Sequence, residues 1–421
     1  MIREQSGNGF YEIFCSVCGI VIDETKVHTV CPHCGSSLDV HYDYRQLRKK
    51  LKGFSAGGND LSALKYLEFY PLREKENLVS LMEGGTPLYH LEKLGKKYGL
   101  KKLFLKNEGM NPTGAFKDRG TLVEIAKARE IKAHAILVAS SGNMAASCAA
   151  YGAKANMPCY VLVPDNIPVG KLSQIISYGA HVIKIRGEYD DCLRLARKLA
   201  PEHHFYLAGD YVFRREGQKS LAYELCEQFR LSPPDVVICP TGAGTHISGL
   251  WRGFMEFKNL GFVKKVPKLI AVQAEGAAVI EEAFNRKEHH CKPWKVVRTI
   301  CSAVAVADPL DGDLALKAID ESRGCAVKVS DDEALKAERL LASREAVFVE
   351  PSSALAVAAL PHLIQSGFLK KGQSIVIVAT GNGLKDPLTL LQNLPKIVTL
   401  EAVLAVVSRY VTSHMLKSRG F

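Results

Sequence analysis

The residue with the most reactive setting in this sequence is Lys117. It closes the segment Asn111-Pro-Thr-Gly-Ala-Phe-Lys117, where a Pro/Gly turn delivers a primary amine to the start of a helical pattern. The amino-terminal end of a helix disfavours a cation, so the neutral, nucleophilic amine becomes easier to reach. Taken alone, the same loop would serve a solvated surface lysine equally well. A second turn, Ser140-Ser141-Gly142-Asn143-Met144, leads from an apolar run into a small-residue helix. Backbone amides at such an end bind carboxylates, and Asn143 adds a donor, although a plain helix cap has the same look. A third, Gly242-Ala243-Gly244-Thr245-His246, can fold into a backbone nest for a phosphate. It lacks both the Lys-Ser/Thr end of a nucleotide loop and the dinucleotide spacing. The fourth, Ala379-Thr380-Gly381-Asn382-Gly383, puts the Thr380 hydroxyl at the tip of an apolar run.

Metal chemistry is concentrated near the start. Cys15-x2-Cys18 and Cys31-x2-Cys34 are separated by twelve residues, and a glycine follows each pair. Two such knuckles supply the tetrahedral sulfur set that zinc prefers. A redox pair or unrelated thiols are the competing readings. Four thiolates leave no open coordination position, so the expected metal is structural, and in so small a segment it supplies much of the folding free energy. His28 and His33 are surplus to that set and read as surface or packing residues.

The elements that must position these groups follow a βαβ rhythm. LFLK (103–106), AILVAS (135–140), CYVLVP (159–164), HVIKI (181–185), VVICP (236–240), KLIAVQ (268–273) and SIVIVAT (374–380) read as buried parallel strands. Helical stretches lie between them, at 188–200, 217–229, 331–343 and 352–365. The pattern predicts an α/β fold with open, mostly parallel sheets, and therefore ligand loops at the carboxyl ends of strands. The expected organisation is a ribbon at 1–42, a linker with a helical first half at 43–79, a catalytic region at 80–395 and a terminal helix at 396–421. A smaller subdomain is expected at about 103–220.

Composition narrows the partners. The chain has 421 residues, 47% hydrophobic and 24% charged, with a net charge of +11. Its basic residues are dispersed, so no nucleic-acid footprint is expected; attraction of anionic small molecules is the simpler reading. Residues 400–407 are too short an apolar run for a membrane span. No secretory signal is visible, and the twelve cysteines then point to a reducing compartment, the cytoplasm by default. A homodimer is the default assembly.

In this order and spacing the four turns resemble those of the fold-type II pyridoxal-phosphate (PLP) enzymes, the tryptophan synthase β-like fold of two sheets wrapped by helices. The resemblance covers roughly residues 80–390. Glu83-Gly-Gly-Thr-Pro87, Glu216-Gly-Gln-Lys219, Glu350-Pro-Ser-Ser-Ala354 and Thr380-Gly-Asn-Gly-Leu-Lys-Asp-Pro387 resemble the threonine synthases most closely, some of which carry an N-terminal zinc ribbon. The resemblance implies that Lys117 holds PLP as a Schiff base and moves substrate protons. It further implies that Asn143 faces the cofactor O3′, that residues 242–246 bind its phosphate and that Thr380 bonds the pyridine nitrogen. Phe116 packs on the ring or in the core. Ser140, Ser141, Met144, Arg214, Lys171 and Lys219 are the substrate candidates, with Arg215 as a further cation. The implied reaction makes threonine and phosphate from O-phosphohomoserine.

The departures from that family concern the substrate. Met144 stands where the family has Thr, Ala208-Gly209 where it has Asn-Ser, Tyr211 where it has a second Asn, and Asn382 where His is common. A phosphate dianion wants several charge-assisted donors. The alternative is therefore a related PLP enzyme, dehydratase- or sulfhydrylase-like, eliminating or replacing at the β or γ carbon of another substituted amino acid.

Overall fold

The computed structural model describes residues 10–23, 29–57, 60–167, 169–386, 389 and 398–418; His28 falls outside them. Strands β1 (Tyr11–Cys15), β2 (Val21–Ile22) and β3 (Leu38–Tyr42) form an antiparallel sheet in the order β2-β1-β3. The chain then continues through β4 (Leu88–His90), β5 (Lys102–Asn107), β6 (Ala135–Ala139), β7 (Cys159–Pro164), β8 (His181–Ile185) and β9 (Phe205–Ala208). The last four are β10 (Val236–Pro240), β11 (Lys268–Ala274), β12 (Cys325–Val329) and β13 (Ser374–Ala379). They build two open sheets, β12-β11-β10-β13-β5-β4 and β8-β7-β6-β9. Every pairing in these two sheets is parallel except β4 with β5.

The apolar runs explain this layering. Every residue of β6 and β10 is buried, as expected of strands covered by helices on both faces. The α/β expectation holds, and all seven predicted strands are present. The sequence reading omits β1 to β3 of the small sheet and, in the two larger sheets, β4, β9 and β12. β9 has four residues and starts just after His204, whose φ is +54°. β12 lies at the edge of its sheet and is only partly buried, which dilutes its apolar signal. The helix predicted at 217–229 is two, Val212–Gln218 and Ser220–Gln228, and that at 352–365 is also two, Pro351–Ala358 and Leu360–Gln365. In the second case Pro361 removes an amide donor and breaks the run.

After β3 comes helix Tyr44–Lys50, capped by Asp43, whose carboxylate accepts from Arg45 N at 2.8 Å. The described residues up to Asp386 form one compact unit, and those from Pro387 onward form a second, with helix Leu404–Ser418. Among the described residues no helix is long and apolar enough to cross a membrane.

Two features set the position of Lys117. Its helix, Lys117–Glu130, crosses the Val212–Gln218 helix so closely that a Cβ on Gly217 would lie 2.1 Å from Arg119 O. Beneath that crossing is a wholly buried ionic cluster. Arg119 Nε donates to Glu108 at 2.6 Å, its Nη2 to Glu224 at 2.6 Å, and Lys106 also pairs with Glu224. Buried charges of this kind need full pairing, and losing one partner leaves the others stranded.

Candidate functional site

The turn that carries Lys117 is held at both ends. Asn111 Nδ2 donates to Glu108 O at 2.8 Å, and Gly84 N donates to Asn111 Oδ1 at 3.0 Å. Asp118 accepts from Thr113 N at 2.8 Å, Thr113 Oγ1 at 2.6 Å and Ser147 Oγ at 2.6 Å. Lys117 is left half-buried, its Nζ 3.0 Å from Asp210 Oδ1 and 5.0 Å from the Phe116 ring centroid.

Two of the other turns converge through one acidic segment. Asn143, the first residue of helix Asn143–Lys154, donates its amide to both Glu350 oxygens at 3.2 and 3.0 Å. Three residues on, Ser353 Oγ shares a 2.8 Å hydrogen bond with Thr380 Oγ1 and accepts from Gly381 N at 2.8 Å. Thr380 O accepts from Phe116 N at 2.9 Å, which brings the Thr380 turn beside Lys117. Gly381 leaves room for Glu350, since a Cβ there would lie 2.5 Å from that carboxylate. Ser140 and Ser141 are part-exposed at the start of the Asn143 turn, and half-buried Met144 packs on the core.

The glycine turn after β10 opens helix Thr245–Asn259. Gly244 has φ +90° and sits so close to residue 311 that a Cβ would lie 2.5 Å from Asp311 O. Among the described residues, both ring nitrogens of His246 are buried without a hydrogen-bond partner. The His246 ring lies 4.3 Å from that of Phe116, and burial pushes its pKa down to about 3, so it is neutral at pH 7. Unused buried donors beside a helix amino terminus suit a phosphate. With a primary amine, a threonine hydroxyl and an amide donor nearby, the residues fit an aromatic aldehyde bearing a phosphate.

Three expected substrate contacts are corrected. Arg214 is fully buried: Nε donates to Gly209 O at 2.9 Å, Nη1 to Lys117 O and Thr121 Oγ1, and Nη2 pairs with Glu124. Burial, opposed by Arg214, leaves the Glu124 pKa at about 7. Lys219 Nζ is buried among Glu216, Glu256 and the Tyr42 hydroxyl, at 2.6, 3.1 and 3.0 Å. Arg215 is likewise committed, to Asp311 and Asp39. The side chain of Lys171 lies outside the described residues. Sequence reasoning passed over Asp210 and Lys385. Lys385 Nζ donates to Thr113 O at 3.1 Å and to Gln174, and burial lowers its pKa. Only its place in the Thr380 motif marked it.

The cysteine array is assembled as its spacing predicts. The four sulfurs lie within 4.8 Å of one another, Cys15 to Cys34 at 3.4 Å and Cys18 to Cys31 at 3.7 Å. Tetrahedral sulfur at a zinc–sulfur distance of ~2.3 Å gives S···S contacts of about 3.8 Å, so the donor set fits that metal.

Comparison with known proteins completes the picture. The family model described as pyridoxal-phosphate dependent enzyme matches residues 79–381. The threonine synthase of Methanocaldococcus jannaschii is 41% identical over 375 residues, 89% of this chain and 92% of that protein. The threonine synthase of a Bacillus species is 42% identical over 324 residues, covering 76% and 89%. Among solved structures, threonine deaminase isoform 2 from Solanum lycopersicum aligns with a TM-score of 0.65 at 22% identity, covering 80% of this chain and 96% of its own. An L-serine ammonia-lyase from Rhizomucor miehei gives 0.64 at 23%, covering 73% and 96%. These two likenesses show the fold alone.

Proposed function

The chain belongs to the threonine synthases among the pyridoxal-phosphate-dependent enzymes, and on that premise we propose that it converts O-phosphohomoserine and water to threonine and phosphate. The observation that carries this reading is the convergence on Lys117 of the Asn143, Thr380 and Gly244 turns. PLP, when bound, supplies an electron sink for charge developing on the substrate carbons. Lys117 holds the cofactor and then takes and returns protons at the α and later carbons. Asn143 donates to O3′, residues 242–246 hold the phosphate and Phe116 supports the ring. Thr380 offers the ring nitrogen a neutral hydroxyl, which leaves proton transfer to the lysine. Ser140, Ser141 and the helix start beside them bind the substrate carboxylate.

The leaving phosphate needs cations other than Arg214 and Lys219. Lys385 is one; Lys171 is the other, one helical turn before Gln174, which accepts from Lys385. Cys15, Cys18, Cys31 and Cys34 hold one structural zinc. The chain works as a homodimer, which size-exclusion with light scattering tests. The functional experiment is to supply O-phosphohomoserine, O-phosphoserine, O-acetylserine and threonine separately. Phosphate and threonine should appear in equal amounts from the first. Keto acid from threonine, with no phosphate released from O-phosphohomoserine, would replace this reading with a deaminase.

A further inference from the structure

The four-thiolate ribbon and the phosphate-binding turn are joined by a continuous run of polar contacts, part-buried at Asp39 and Arg252 and fully buried at Arg215 and Asp311. On β3, Asp39 lies between two guanidinium groups: Arg215 approaches its carboxylate at 3.0 Å, and Arg252 pairs with the same oxygen. Each arginine also takes a backbone carbonyl of β3, Arg215 that of Leu38 at 2.5 Å and Arg252 that of Val40 at 2.6 Å. From its other edge Arg215 reaches Asp311 at 3.0 Å. Asp311 forms one wall of the turn, because its amide donates to Ala243 O at 3.0 Å and its carbonyl closes on Gly244. Ser37 supplies a parallel strut, donating to Leu310 O at 2.7 Å. Arg252 belongs to the helix that Thr245 begins, so β3 grips both the turn and its helix.

Arg215 and Asp311 are each 1% exposed. A charge pair so far from water persists only where its geometry is held from outside, and here the holder is a strand of a small sheet. Metal supplies much of the folding free energy of such a segment. We infer that the run Asp39–Arg215–Asp311 positions the phosphate turn, and that metal in the ribbon and PLP in the site strengthen each other's binding. The inference rests on the zinc and phosphate assignments above. Coupling of this kind is reciprocal: each ligand must raise the affinity of the other by the same factor.

The test uses full-length protein and equilibrium dialysis of PLP and of pyridoxal, which lacks the phosphate. Asp39→Asn, and wild type stripped of metal by a chelator, should each bind PLP at least about fivefold more weakly, the low end of common couplings. Pyridoxal binding should change less than about twofold. Zinc affinity, measured by chelator competition, should be higher with PLP than without it, by the factor that chelation costs PLP. Ser37→Ala removes one neutral strut and keeps the test open should Asp39→Asn fold poorly; about a twofold to tenfold loss of PLP affinity is expected. Unchanged PLP affinity in Asp39→Asn, or in Ser37→Ala if that variant must stand in, overturns the positioning role. So does an equal loss for pyridoxal, which would report general loosening. Equal zinc affinity with and without PLP overturns the coupling. Zinc counting separately reports whether the ribbon takes metal; a metal-free ribbon contradicts the four-thiolate assignment, while Asp39→Asn still decides the positioning role.

Discussion

Lys117 Nζ lies 3.0 Å from Asp210 Oδ1, a carboxylate that reaches it from the turn after β9. That turn is itself fixed, since Gly209 donates its amide to Glu124 and its carbonyl accepts from Arg214. Asp210 is therefore a placed group, and the free Lys117 amine meets a defined partner. An amine that must accept and return protons gains from such a fixed acceptor.

Replacing Asp210 by Ala should keep PLP bound while slowing turnover. Loss of a hydrogen bond to a charged group is worth ~1.5–3 kcal/mol, or roughly tenfold to a hundredfold in kcat. Steady-state kinetics on O-phosphohomoserine, with KM little changed, would agree. Wild-type kcat in the variant would show that the ion pair has no part in turnover.

Arg214 is expected to act on stability and not on substrate binding. Arg214→Met strands the buried carboxylate of Glu124. Because that group already sits at about 7 and can take up a proton, the cost should fall near the low end of the range for broken buried pairs, about 3 kcal/mol. Urea unfolding measures it. A variant of wild-type stability whose KM rises tenfold would return Arg214 to the substrate site.

His246 gives a pH prediction with a definite sign. In the unfolded chain it protonates near its ordinary pKa of ~6.5, whereas the folded protein resists protonation down to about 3. Below pH 6.5 the unfolded state thus binds more protons, and stability falls with pH until about 3. In cofactor-free protein, His246→Phe should flatten the acid limb by roughly 1.4 kcal/mol per pH unit. An unchanged slope between pH 6 and 4 in urea titrations (~1.4 kcal/mol per unit at stake) would contradict a buried neutral imidazole.

Much of this was legible in sequence, and the exceptions share a cause. The strands could be read because β6, β10 and β13 are apolar along nearly their whole length. The turns could be read because glycine, proline and a polar group recur together at strand ends. What failed was the state of buried cations. Nothing near Arg214 in the chain announces Glu124, 90 residues earlier, nor does the motif around Lys219 show that Glu256, 37 residues later, will neutralise it. Asp210 escaped for the converse reason, its partner Lys117 lying 93 residues away, and Glu350 was marked by its motif but not by its partner Asn143, 207 residues away.

Thr380→Val tests the proposed contact of the Thr380 hydroxyl with the cofactor ring. Valine preserves shape and removes one hydrogen bond, worth ~0.5–1.5 kcal/mol, so turnover should slow by roughly twofold to tenfold with an altered cofactor absorbance and retained PLP. Identical spectrum and rate would place another residue at the ring nitrogen.

The claim on which the rest depends is that Lys117 carries the cofactor, and borohydride reduction of the holoenzyme followed by peptide mapping tests it most directly. The pyridoxyl label should appear on Lys117 in the peptide spanning residues 107–119, and Lys117→Ala should take up no label there. Label on a different lysine, or a Lys117→Ala protein with undiminished activity and an unchanged cofactor spectrum, would contradict the account.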